Sequence, residues 1–76
     1  MTINELRVLY RSERLVEAIV EQADQGGLWV VEFRDSHGGI LALTDPQGEQ
    51  RHYSDINSAS KSAMAVGFNQ VRVEEL

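Results

Sequence analysis

His37 and His52 are the side chains of this sequence best placed to move protons near neutral pH. Each has a carboxylate nearby in sequence: Asp35 precedes His37, and Asp55 follows His52. Catalytic zinc needs three converging protein ligands, and nothing in this spacing brings the two groups together. Ser36 directly precedes His37. Adjacent residues do not usually face each other, however, and the strand, elbow and helix that expose a hydrolase nucleophile are missing. Glu17, Glu21 and Glu32 could meet across a hairpin, where paired carboxylates can do acid–base work. A solvated row partly balanced by Arg34 is the simpler reading.

Two other chemistries fail on context. Gly26-Gly27 and Gly38-Gly39 each join strand to strand, whereas a phosphate cradle leads from a strand into a helix whose N-terminus holds the anion. Trp29 and Tyr53 could stack on bases, but a single-strand binder also needs a basic groove. No catalytic, cofactor-binding or metal-ligating residue is therefore expected, and no cofactor.

Charge narrows the partners. The chain has 76 residues and a formal net charge of -5. Arg7, Arg11 and Arg14 give the first fourteen residues a small positive excess over Glu5 and Glu13, and the rest is strongly acidic. Nucleic-acid affinity comes largely from Lys and Arg replacing counterions, so the body of the domain disfavours nucleic acid. The row Arg7, Arg11 and Arg14 is the one candidate anion contact. The sequence has no cysteine, which removes disulfides, thiol catalysis and cysteine-held metals, and is compatible with the cytoplasm. No uninterrupted apolar run exceeds four residues, as in Leu28 to Val31, so no membrane span is expected. The charged N-terminal stretch does not read as a secretory signal.

The elements that must position these residues follow from periodicity. Residues 2–12 read as a helix: Thr2 and Glu5 have capping-box spacing, and Ile3, Leu6 and Leu9 or Tyr10 make one apolar face. From Leu15 the period becomes two, with Val16, Ala18 and Val20 on one side. Asp24 to Gly27 reads as a turn, and Leu28 to Arg34 as the strongest strand. A turn at Asp35 to Gly39, a strand at Ile40 to Leu43, a turn at Asp45 to Gly48 and a strand at Glu49 to Tyr53 complete an antiparallel meander. A helix follows, capped by Ser54 or Asp55, lined by Ile56, Ala59, Ala63 and Val66, and stopped at Gly67. Gln70 to Glu74 reads as a last strand.

The expected fold is one small α+β domain spanning residues 1–76, in the order α-β-β-β-β-α-β, with a mainly antiparallel sheet packed on one face by helices. The expected core is Leu6, Val16, Ala18, Val20, Trp29, Val31, Phe33, Ile40, Leu43, Ile56, Ala59, Ala63 and Val71. The other sheet face is mixed, with Ile19, Leu28 and Val30 among Glu17, Glu21, Glu32 and Arg34. A partly apolar open face is a candidate contact surface, and a symmetric dimer is one way to bury it.

The run Gly26 to Arg34, the stretch Leu43-Thr44-Asp45 with Gly48, and the helix bearing Ala59 and Ala63 resemble a family of small uncharacterised proteobacterial proteins. The resemblance covers roughly Val16 to Ala65, and its motifs are turn and packing positions. It implies no activity and no site residues. The sequence thus points to a non-enzymatic cytoplasmic domain of unknown role that acts by protein contact, with an unknown partner or with itself. The alternative is a nucleic-acid-associated or regulatory protein using Arg7, Arg11 and Arg14.

Overall fold

A computed structural model describes residues 1–23 and 26–75. The first helix, α1 (Ile3–Arg11), starts where expected. The Glu5 N–H donates to the Thr2 hydroxyl at 3.3 Å, and the Thr2 N–H donates to the Glu5 carboxylate at 2.8 Å. It ends in a Schellman turn: Glu13 N–H donates to Tyr10 C=O at 3.0 Å and Arg14 N–H to Leu9 C=O at 2.9 Å. Glu13 takes the left-handed conformation this requires, at φ 60°.

The strands are β1 (Leu15–Gln22), β2 (Trp29–Asp35) and β3 (Ile40–Ala42), followed by the helix α2 (Ile56–Val66) and the strand β4 (Arg72–Glu74). They form one four-stranded sheet in the order β3-β2-β1-β4. The first three pair antiparallel, while β4 runs parallel to β1. The expected meander is therefore corrected to a mixed sheet in the order α-β-β-β-α-β. After β3 the chain crosses the sheet through α2 and re-enters at the far edge, and a crossover of this kind delivers a parallel strand.

The strand expected at Glu49 to Tyr53 is not one. Two isolated bridges, Thr44 with Gln50 and Trp29 with Tyr53, are its only ladder contacts among the described residues. Its first four residues, Glu49, Gln50, Arg51 and His52, are all polar, so they offer no apolar face to bury. The turn expected at Asp24 to Gly27 lies partly outside the described residues, although Gly26 and Gly27 are in a turn.

Both helices pack on the same side of the sheet. Leu6, Leu15, Ala18, Val20, Val31, Phe33, Leu43, Ala59, Ala63 and Val66 form the core, and Trp29, Ile56 and Val71 pack against it half-buried. Two expected core residues are exposed, Val16 at 51% and Ile40 at 53%. A β-bulge between Leu15 and Glu17 shifts the alternation, so Leu15 takes the inward place assigned to Val16. Ile40 pairs with Arg34 and shares its outer face, and Leu41, opposite Phe33, points inward. Gly67 locks the helices together. Its φ is 145°, and a Cβ there would overlap the Tyr10 ring. The next residue, Phe68, meets Tyr10 edge-on at 4.8 Å and stacks on Phe33 at 5.8 Å.

Candidate functional site

The sheet face away from the helices collects most of the residues singled out above. Register places Arg34 beside Glu17, Glu32 beside Ile19, and Val30 beside Glu21. Across the β1–β4 pair, Arg72 lies beside Ile19 and Glu74 beside Glu21. The face is thus a lattice of charges with Ile19 and Val30 set into it and Ile40 at its β3 edge.

Ile19 and Val30 are buried, at 4% and 6% exposure, although both helices pack on the other face. Their neighbours in the register are long Glu and Arg side chains, whose methylene stems can lie over apolar surface while the heads stay wet. Leu28 is half-buried, Glu32 is half-buried, and Arg34 is exposed. The face proposed from the sequence is therefore charged at its surface and apolar beneath.

One end of the lattice is well paired. Arg34 donates twice to one Glu17 oxygen, from Nη2 at 3.0 Å and Nε at 3.2 Å. Arg72 approaches the other Glu17 oxygen at 3.4 Å and Glu74 at 3.2 Å. Three strands are tied by this chain of charges. The other end is crowded with one sign. Burial pushes the Glu32 carboxyl above the ordinary glutamate range, and a hydrogen bond with Glu21 and the charges of Glu21 and Glu74 push it the same way. A shallow open depression of about 290 Å3 lies here, lined by Glu21, Glu32, Val30, Gln50 and His52 among others. The segment that leads into β4 lies apart from β1 before Arg72 pairs with Ile19, and an open groove of about 340 Å3 is lined there by Val16 to Ala18 on one side and Phe68 to Arg72 on the other.

The two histidines stand apart. His37 is in the turn after β2, whereas His52 adjoins Tyr53, which bridges to Trp29 at the start of β2. A seven-residue strand separates them, about 20 Å at the usual rise. Among the described residues, no group of three or more His, Cys, Asp or Glu could hold a metal ion. The carboxylates near the histidines serve the backbone. Asp35 accepts the N–H groups of His37 at 2.8 Å and Gly39 at 2.9 Å, and these bonds, Gly39 first, hold its carboxyl below the usual range. Asp45 repeats the arrangement with Gln47 at 2.9 Å and Glu49 at 3.0 Å. In both turns the glycine three residues on, Gly38 or Gly48, has φ near 90°. Asp55 caps α2 by accepting the Ser58 N–H at 2.8 Å, which lowers its pKa.

Trp29 and Tyr53 both pack half-buried against the core, so neither offers an open stacking platform. The Tyr53 hydroxyl is buried and has no hydrogen-bond partner among the described residues. Arg7, Arg11 and Arg14 are all exposed, and none belongs to an ion pair among the described residues. Arg7 and Arg11 lie one turn apart on α1, and Arg14 closes the Schellman turn, its C=O accepting the Ser36 N–H at 2.8 Å. Sequence reasoning missed the Glu17–Arg72 link. Only the alternation of Arg72, Val73 and Glu74 hinted at it, because the link needs β4 to lie beside β1. No described helix is long and apolar enough to cross a membrane. No protein-family model matches the chain, and no curated protein or solved structure shows significant similarity to it.

Proposed function

We propose that this chain is a small non-catalytic contact domain of the bacterial cytoplasm, binding another protein or a second copy of itself through the outer face of its sheet. One observation carries the reading: helices seal one face, and the other stands open with Arg34, Glu17, Arg72 and Glu74 on it. The carboxylates that acid–base chemistry would draw on also have other tasks. Asp35, Asp45 and Asp55 hold turn and cap N–H groups, and Glu17 holds two guanidinium groups. A cysteine-free composition suits a reducing compartment. The resemblance to small uncharacterised proteobacterial proteins is proposed as kinship and brings no activity with it.

Site-specific photo-crosslinking in native extract tests this. A crosslinker at exposed Ile40, on the outer face, should give discrete protein adducts, and one at exposed Val8, on the helix layer, should not. Adducts from Val8 alone would contradict the reading.

A second reading has an observation of its own. Arg7, Arg11 and Arg14 are exposed cations outside every ion pair found among the described residues, as a nucleic-acid contact requires. Fluorescence anisotropy with an oligonucleotide at low salt decides it. Binding that weakens when the three arginines become glutamates would support it, and no binding would remove it.

A further inference from the structure

The two edges of the sheet differ. Along β3, Met1 lies against the strand: its amine donates to the Ala42 C=O at 3.1 Å, and its C=O accepts the Thr44 N–H at 2.7 Å. Along β4 no residue plays that part among the described ones. Arg72, Val73, Glu74 and Glu75 are all exposed, and among the described residues β1 is the only strand beside β4. An edge in this state presents backbone N–H and C=O groups for another strand to pair with.

The sequence of β4, Arg-Val-Glu, is complementary to its own reverse. Let a second copy approach antiparallel, with the two-fold axis through Val73. Arg72 then faces the second copy's Glu74, Glu74 faces the second copy's Arg72, and the two valines meet on the axis. Directly opposed side chains in such a pair have Cβ atoms about 4.5 to 5.5 Å apart, close enough for both ion pairs and for valine contact.

The same approach answers the charge imbalance of the outer face. Glu74 is in register with Glu21, and Glu32 stands on the same face. One guanidinium, Arg72, already serves both Glu17 and Glu74. The second copy's Arg72 would arrive on the side of Glu74 away from Glu21. On the inner side, Val73 is 42% exposed and in register with the fully buried Val20, so valine contact would extend the apolar layer across the axis.

We propose that β4 pairs with β4 of a second copy, antiparallel and centred on Val73, joining two four-stranded sheets edge to edge. This rests on the contact-domain reading and names one partner for it. A short edge contact buries less than the roughly 1,200–2,000 Å2 of a stable interface, so the dimer should be weak and reversible.

Sedimentation of the full chain over a concentration series, up to about 1 mM, tests it. Self-association is expected, with amide shifts moving at Val71 to Glu75 in labelled protein. V73K places two cations on the axis at an exposed position and should weaken association at least about tenfold, with the fold intact by circular dichroism. E74R and R72E should each weaken it as much, and an equimolar mixture of those two variants should associate again, because it restores opposite charges at both positions. A chain that stays monomeric throughout overturns the proposal, even if it binds some other protein. So does a dimer indifferent to V73K and E74R, or a mixture that fails to associate.

Discussion

The two faces of the sheet bury apolar side chains by different means. On the inner face, Ala18, Val20, Val31 and Phe33 are at most 1% exposed beneath two helices. On the outer face, Ile19 and Val30 reach 4% and 6% with Glu32, Arg72 and Glu21 as their register partners. Similar burial thus occurs beneath two helices on one side and among long charged side chains on the other. The inner arrangement cannot close over a lost atom, because both layers are fixed by backbone. The outer one can, because Glu and Arg stems can shift.

That contrast is measurable by urea denaturation of single variants. Phe33→Ala removes the largest fully buried side chain and its stack on Phe68, so a loss of about 3 to 5 kcal/mol is expected. Gly67→Ala comes next. Its backbone would be forced to hold φ 145° with a Cβ set into the Tyr10 ring, for a loss of about 2 to 3 kcal/mol. Ile19→Ala, almost as buried as the inner residues, should cost only about 1 to 2 kcal/mol, because its surroundings can collapse. Equal losses at Ile19 and Phe33 would break the comparison.

The smallest effect sharpens it through charge. Glu32→Gln should stabilise the protein at neutral pH by about 0.5 kcal/mol, since it relieves like charge at Glu21 and Glu74. The pH dependence follows from the signs. The Glu32 pKa is raised on folding, so the folded state binds more protons than the unfolded one between 4.5, the ordinary glutamate value, and the raised value. Stability therefore rises as pH falls through that window. The pKa values of Glu5, Asp35 and Asp55 are lowered by hydrogen bonds to Thr2, Gly39 and Ser58. Their contribution is present above the unfolded values and is lost as pH falls through the folded ones. Stability should thus peak in mild acid, and Glu32→Gln should flatten the limb between that peak and neutral pH.

Most of the inner layer was legible in the sequence, because its signals are local. Thr2 with Glu5 marks the start of α1, and Asp55 and Gly67 mark the ends of α2. The alternation of Ala18 and Val20, and of Val31 and Phe33, marks the inward face. What was not legible depends on partners far away in the chain. The bulge at Leu15 to Glu17 moves one residue out of phase, which is enough to send Val16 outward. Placing both Ile40 and Leu43 in the core set residues of opposite parity on one face, and the pairing of Ile40 with Arg34 decides against it. The direction of β4 is decided by the path of α2, and nothing in Arg72 to Glu74 reveals it. The Arg34–Glu17–Arg72 chain inherits that dependence, since it forms only when β2, β1 and β4 lie side by side.

The working claim is that this protein acts by contact through the outer sheet face and its β4 edge. The most direct test is an amide spectrum of the isotope-labelled chain, recorded alone at low concentration and then in native extract. Signals of Arg34, Ile40 and Arg72 to Glu74 should shift or broaden, while those of Arg7, Arg11 and Lys61 on the helix layer hold still. Perturbation confined to the helix layer, with the sheet signals unmoved, would contradict the account.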